Sequence, residues 1–212
     1  MNRPNILRGE ELQPPPKQRR SRRRRDAILE AAMVRFSRDG FERTSIEGIA
    51  QAAGVATGAV YQFFRSKRQL LLVLMDTLLR RLNELDPPPF NQGKTILDGI
   101  EQFLTEAFAR ELEFVGVYRA WQEAALTDPA IDGHNHRIRS WTRARVRSLF
   151  AMLADLPDGR PDLDFDTLAK LWDGFFWTLL AQPPSDTKRA VRSIARILYH
   201  TLFLDVLADR TR

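Results

Sequence analysis

The chain has 212 residues and no cysteine, which excludes disulfides, cysteine metal ligands and thiol redox switching. Its longest apolar runs, such as 70–75 and 175–180, are far shorter than the roughly 20 residues that cross a bilayer, and residues 1–20 lack the apolar core of a secretory signal. With 43% hydrophobic and 28% charged residues and a net charge of +6, the composition predicts a globular, cytoplasmic protein.

The positive charge is concentrated in the first part of the chain. Residues 1–82 contain 17 Lys and Arg against 8 Asp and Glu, whereas residues 83–212 contain 16 against 19. A basic module joined to a mildly acidic one is typical of a nucleic-acid-binding head on a separate body, although a solvated surface has the same charge pattern.

Residues 1–20 are polar, contain three prolines at 14–16 and show no periodicity, so they predict a flexible arm. Seven positive charges follow within residues 17–25, among them Arg22 and Arg23. This density favours a position near phosphates, with a solubilising tail as the alternative.

Helical periodicity begins at Asp26, and Gly40 is a stop signal for this first helix. The pattern Thr44-Ser45-Ile46-Glu47 has the form of a capping box, with Thr44 as N-cap and Glu47 reaching back, and it predicts the start of a second helix. Gly54 interrupts that helix.

A short third helix is predicted from about Ala56 to Phe63 or Phe64. Two short helices joined by a glycine turn make a helix-turn-helix. A second capping box, Ser66 to Gln69, predicts a fourth helix that ends before the prolines at 87–89.

The rest of the chain shows helical patterns without strand alternation. Further helices are predicted over about 95–110, 111–126, 129–155, 164–181 and 187–209, with one long helix as the alternative to the first two. The predicted organisation is an arm over 1–20, a helix-turn-helix domain over 21–66 and a helical domain over 67–212.

The second helix of a helix-turn-helix lies in the major groove, and helix N-termini direct free amides at phosphates. Because Gly58 has no side chain, it allows the recognition helix to approach the sugar-phosphate backbone closely. The Gln62 amide is suited to pair bidentately with adenine. Tyr61 is alternatively a core aromatic, and Lys67 alternatively serves only its own helix cap. The candidate DNA-binding residues are Thr44, Ser45, Thr57, Gly58, Tyr61, Gln62, Lys67, Arg22 and Arg23.

Residues 24–75 resemble the DNA-binding domain of the TetR family of bacterial transcriptional regulators. The resemblance rests on G-F at 40–41, T-S-I at 44–46, I-A at 49–50, A-G-V at 53–55, G at 58, Y at 61, F at 64 and S-K at 66–67. It implies an all-helical protein, a two-fold dimer, and a C-terminal domain that binds a small effector and thereby releases DNA. Ala56 replaces a serine cap that is frequent in the family, and Phe63 replaces a frequent histidine.

The family resemblance also implies an effector pocket among the middle helices. All four tryptophans and many phenylalanines lie in the C-terminal domain, which suits a bulky lipophilic or aromatic ligand, although most such rings are ordinary core residues. The candidate effector-binding residues are Phe103, Tyr118, Trp121 and Trp141.

The last two helices each have more apolar surface than one core needs, which predicts a four-helix bundle with a second copy. An intramolecular core is the alternative. The candidate interface residues are Leu168, Leu171, Phe175, Leu179, Ile194, Leu198 and Leu202.

No catalytic machinery is evident, since phosphate loops, nucleophile elbows and clustered bases are absent from the sequence, and no cofactor is expected. His134 and His136 are two residues apart and do not share a helical face, so a metal site is not predicted.

Together with what the family resemblance implies, the sequence therefore predicts a dimeric, non-enzymatic transcriptional repressor that binds a palindromic duplex operator and is released by a small effector, without membrane contact. The alternatives are a helical scaffold or peripheral membrane protein whose basic arm binds anionic lipid, and an enzyme with an unfamiliar site.

Overall fold

The computed structural model describes residues 2–87, 95–181 and 186–203; over 110–112 and 179–181 it describes the backbone only. Within these ranges the chain forms nine α-helices and no β-strand, which confirms the predicted all-α fold. In chain order they are α1 Arg19–Asp39, α2 Ile46–Ala52, α3 Thr57–Tyr61, α4 Lys67–Asn83, α5 Ile96–Leu112, α6 Val115–Ala125, α7 Pro129–Ala154, α8 Phe165–Ala181 and α9 Thr187–Leu202.

The helices group into two compact units. Of the described residues, unit A comprises 3–82 and 113–137, and unit B comprises 2, 83–87, 95–112, 138–181 and 186–203. Unit A therefore contains α6 together with α1–α3 and most of α4, whereas the boundary expected after residue 66 would assign α4 and α6 to the C-terminal domain.

The core of unit A is formed by apolar side chains at helical spacing. Its buried residues include Ile28, Ala32 and Phe36 of α1, Ile46, Ile49 and Ala50 of α2, Val60 of α3 and Leu70, Leu74 and Leu78 of α4. Burial of a Val, Leu, Ile or Phe side chain contributes about 1.5–3 kcal/mol. α6 meets α1 closely at Gly116, where a Cβ would lie 2.1 Å from the Cβ of Ser37, so only glycine fits.

The N-terminal segment differs from its prediction in two ways. α1 begins at Arg19 rather than Asp26, because arginine is a good helix former and a helix keeps these guanidinium groups in water. The preceding residues do not form a free arm, since Ile6 is fully buried, Arg3 pairs with Asp76 and Glu10 pairs with Arg68.

The structure decides two predictions for the later helices: the number of helices between residues 95 and 126, and the end of α9. The stretch from 95 to 126 forms two helices, with the break at residues 113–114. α9 ends at Leu202 and not at residue 209, because Phe203 has an extended backbone that forms a β-bridge with Gly159. The Leu202 carbonyl accepts the backbone N–H of Arg160 at 2.9 Å.

The core of unit B includes the inner face of α9. This position corrects part of the predicted dimer interface. Ile194, Leu198 and Leu202 are buried in it, because their stripe packs against α5, as the intramolecular alternative requires. The members of this core are Ile100, Leu104, Phe108, Phe150, Leu153, Val191, Ile194, Ala195, Leu198, Leu202 and Phe203.

The α8 residues of the predicted interface have a different position. Leu168 is partly buried against the same core, whereas Leu171 and Phe175 are 66% and 42% exposed. The side chain of Leu179 lies outside the described residues.

Candidate nucleic-acid interface

α3 presents most of its surface to solvent. Of its five residues only Val60 is buried, while Tyr61 is 50% exposed and Gln62, the C-cap, is exposed. Gly58 is open as well, since a Cβ built there would meet no atom within 4 Å. Thr57 is half-buried at the first position of the helix. A polar flank and a side-chain-free position therefore lie together on the outside of unit A.

The opposite side of this helix is held by a small apolar anchor. Phe64 is buried, and its backbone N–H, like that of Phe63, donates to the Val60 carbonyl at 2.9 Å. The Arg25 guanidinium lies 5.2 Å from the centre of the Phe64 ring, and partial burial lowers the pKa of Arg25. Gly54, at φ 66°, makes the turn from α2. Ala56 gives α3 no side-chain cap, as its residue type predicts.

The start of α2 corrects the predicted capping box. Ser45 is the N-cap, and its Oγ accepts the Gly48 N–H at 3.0 Å. Thr44 is 2% exposed, and its Oγ1 donates to the Gly40 carbonyl at 2.6 Å, so its hydroxyl faces inward and not toward a phosphate. The exposed Ser45 hydroxyl still has a proton to donate outward.

Lys67 is only partly available to a ligand. Its Nζ donates to the carbonyls of Phe41 at 2.8 Å and Glu42 at 3.0 Å, and it lies 4.5 Å from the centre of the Phe41 ring. Two of the three ammonium protons are thus used within the unit. The adjacent predicted capping box forms in part: Ser66 Oγ accepts the Gln69 N–H at 3.3 Å, but Gln69 Oε1 accepts the Arg65 N–H at 2.8 Å instead of that of Ser66.

The two candidate arginines lie near the start of α1, and both are exposed. Arg22 donates from Nε to the Pro16 carbonyl at 2.9 Å and from a terminal nitrogen to the Lys17 carbonyl at 3.0 Å. Arg23 is exposed on the next position of the helix. Their charges remain close to solvent and within reach of an approaching anion.

The four candidate effector residues are divided between the units. Tyr118 and Trp121 are buried in unit A, whereas Trp141 is buried and Phe103 partly buried in unit B. The indole N–H groups of Trp121 and Trp141 have no hydrogen-bond partner among the described residues. A buried donor without an acceptor is costly, so each of these groups is suited to a water or ligand oxygen.

The histidine pair forms no metal site within the described ranges, where no group of three or more His, Asp and Glu is arranged to hold an ion. His134 is buried beside the Arg137 guanidinium, while the His136 ring lies 3.7 Å from the Asp132 carboxylate.

One structurally important residue was not identified from the sequence. Glu123 of α6 accepts the backbone N–H groups of Phe41 and Glu42, 82 and 81 residues away in the chain. No local pattern marks a contact over this separation, and a single Glu on an amphipathic helix is ordinarily solvated. Only the packing of α6 on α1 reveals its role.

Comparison with known proteins agrees with this geometry. The family model described as bacterial regulatory proteins, tetR family, matches residues 28–74. The chain is 34% identical over 61 residues to the HTH-type transcriptional regulator YhgD of Bacillus subtilis, covering 29% of this chain but only 32% of YhgD. It is 28% identical over 159 residues to the HTH-type transcriptional repressor KstR2 of Mycolicibacterium smegmatis, covering 73% of this chain and 76% of KstR2.

A solved structure shows the same fold. The ketosteroid transcriptional regulator KstR2 of Mycobacterium tuberculosis superposes with a TM-score of 0.61 at 20% identity, covering 91% of this chain and all of that one.

Proposed function

We propose that this chain, which belongs to the TetR family of bacterial regulatory proteins, regulates transcription by inserting α3 into the major groove of a duplex operator. The observation that carries the proposal is the exposed polar flank of α3, which an apolar anchor holds outside the core of unit A. The family consists of regulators rather than enzymes, which agrees with the expectation of a non-enzymatic protein.

The roles of individual side chains follow from their exposure. Gln62 reads a base edge, because its amide is free to pair with adenine, and Tyr61 donates its phenol to a phosphate. Gly58 and Thr57 lie against the sugar-phosphate wall. Ser45 contacts a second phosphate at the start of α2, and Arg22 and Arg23 contribute non-specific attraction. Thr44 has no direct contact in this scheme, and Lys67 contributes only its remaining proton.

A palindromic operator requires two copies of α3 about 34–36 Å apart, hence a two-fold dimer. We assign the interface to the outer faces of α8 and α9. Leu171 and Phe175 are exposed one helical turn apart, and Ile197 is exposed on α9. Exposed side chains of this size are suited to an interface core.

A small effector would release the operator by favouring a dimer with another spacing between the recognition helices. Within unit A, the buried rings of Tyr118 and Trp121 would suit a lipophilic or aromatic molecule, and the Trp121 indole N–H, which has no hydrogen-bond partner among the described residues, would suit an acceptor on that molecule. Regulation by repression agrees with the name of the KstR2 relative.

Selection of bound duplexes from random DNA tests the proposal directly. The expected result is enrichment of one palindromic sequence, bound more weakly as salt rises. Failure to enrich any sequence would contradict the proposal.

The membrane alternative is tested beside it with anionic phosphatidylserine vesicles. Within the described residues no helix has the length and apolarity needed to cross a bilayer. Flotation of the chain with vesicles, together with no duplex enrichment, would favour the peripheral membrane alternative.

A further inference from the structure

The loop between α1 and α2 is held by charged side chains from two other helices. It starts at Gly40, where φ is 79° and ψ is 179°, a conformation nearly restricted to glycine, and it leads directly to the α2 cap, Ser45. Its own side chains satisfy few of its backbone groups. The N–H groups at its centre are bound from α6 and the carbonyls from α4.

Glu123 binds the N–H side of this loop with both carboxylate oxygens. Its Oε2 accepts the Phe41 N–H at 2.6 Å, and its Oε1 accepts the Glu42 N–H at 3.1 Å. A Cβ at Gly40 would lie 2.6 Å from Oε2, so the glycine also makes room for the carboxylate. Hydrogen bonds to an ionised acceptor are about twice as strong as neutral ones.

Lys67 binds the carbonyl side of the same two residues. Its ammonium lies 2.8 Å from the Phe41 oxygen and 3.0 Å from the Glu42 oxygen. Each of the two residues is therefore bound through its N–H by the anion and through its carbonyl by the cation. This arrangement determines where the chain enters α2. It therefore also determines where the start of α2 lies relative to α3.

We propose that Glu123 is a positioning residue for DNA binding. Through the Phe41 and Glu42 amides it fixes the entry to α2, so that the position of α6 controls affinity for duplex although α6 does not touch it. This inference rests on the proposed function of α2 and α3 as the DNA-binding elements.

The sign of the effect separates this role from simple electrostatics. Loss of a negative charge from a protein that binds phosphates strengthens attraction to DNA. Loss of the carboxylate that holds the loop weakens binding, because the α2 entry is then free to shift. Glu123→Gln keeps the side-chain shape, removes the charge and replaces one acceptor by a donor that faces a backbone N–H.

The test compares Glu123→Gln with wild type on the duplex selected from random DNA, at a temperature where circular dichroism shows both folded. We expect about tenfold weaker binding, with unchanged preference among bases and faster hydrogen exchange at the Phe41 and Glu42 amides. The matched control is Glu42→Gln, which removes the same charge from an exposed side chain of the same loop and is expected to bind as wild type or more tightly.

Binding of Glu123→Gln as tight as wild type, or tighter, would overturn the inference, and so would unchanged exchange at both amides. If Glu123→Gln does not fold, Glu123→Asp is tested instead. We again expect weaker binding, because aspartate keeps the charge but is one methylene too short to reach both amides. Duplex binding by the wild-type chain is measured first. If the wild type binds no duplex, both the proposed function and this inference are wrong.

Discussion

Arg68 Nε lies 2.6 Å from Asp128 Oδ2, which joins the first turn of α4 to the residue that precedes α7. The same guanidinium also pairs with Glu10, and the other Asp128 oxygen accepts the Ala130 and Ile131 N–H groups. Burial alone would raise the pKa of Asp128, but the hydrogen bonds from Arg68 and from these amides outweigh it and lower that pKa.

Arg68→Gln is expected to reduce the free energy of unfolding by about 1–2 kcal/mol, because it leaves two partly buried carboxylates without their cation. Urea denaturation measures this difference. The control is Arg81→Gln, which breaks the more exposed pair with Glu113 and should change stability by less than about 0.5 kcal/mol. Equal effects of the two substitutions would contradict the special role of Arg68.

The N-terminal segment is expected to contribute to the stability of unit A. Ile6→Ala should reduce the free energy of unfolding by about 2 kcal/mol, because Ile6 is fully buried and truncation leaves a cavity. Thermal denaturation measures the loss. Arg8→Ala, at an exposed position of the same segment, should leave the melting temperature unchanged. If Ile6→Ala melts like wild type, this segment is not docked in solution.

His134 is expected to make stability depend on pH. Burial, followed by the positive charges of Arg137 and Arg68, lowers its pKa below the ordinary 6.5, so the folded state favours the neutral ring. The unfolded chain then binds more protons, and stability present above pH 6.5 is lost as the pH falls below that value. His134→Gln should reduce the drop in melting temperature between about pH 7.5 and 5.5. The exposed His136→Gln should retain the wild-type drop, and an identical drop in both variants would contradict the assignment.

The sequence predicted the helices of unit A, apart from the start of α1, because their signals are local. Periodic apolar residues, Gly54 and the Ser66 cap all act within one or two helical turns, and the exposed flank of α3 follows from residues that suit no core. Thr44 was misjudged because two adjacent hydroxyl residues both have the chemistry of a cap. Only the close approach of Thr44 to the Gly40 carbonyl selects Ser45.

Contacts between distant segments could not be predicted in the same way. The burial of Ile6, the α6 contact through Glu123 and the inward position of Lys67 each depend on the packing of helices far apart in sequence. On α9 the apolar stripe itself was identified, but periodicity cannot tell whether such a stripe faces its own core or a second copy. Ile194 and Leu198 proved to face the core of unit B.

The interface proposed on α8 predicts a change of oligomeric state. Replacing Leu171 and Phe175 by Glu together should convert the proposed dimer to a monomer, because the charges would be buried without partners. Light scattering after size-exclusion chromatography measures the mass. Leu126→Glu, at a more exposed leucine of unit A, is the control and should remain dimeric. A dimeric double variant would contradict the interface.

We propose that the exposed flank of α3 reads duplex sequence, and Gln62→Ala removes the side chain on which this claim depends. Equilibrium binding is measured for wild type and variant on the selected duplex and on every single base-pair change within it. Wild type should lose about 1–3 kcal/mol at the base pair that Gln62 contacts, and the variant should lose its preference at that pair alone. A variant that keeps the complete wild-type preference, or a wild type without any preference, would contradict the claim.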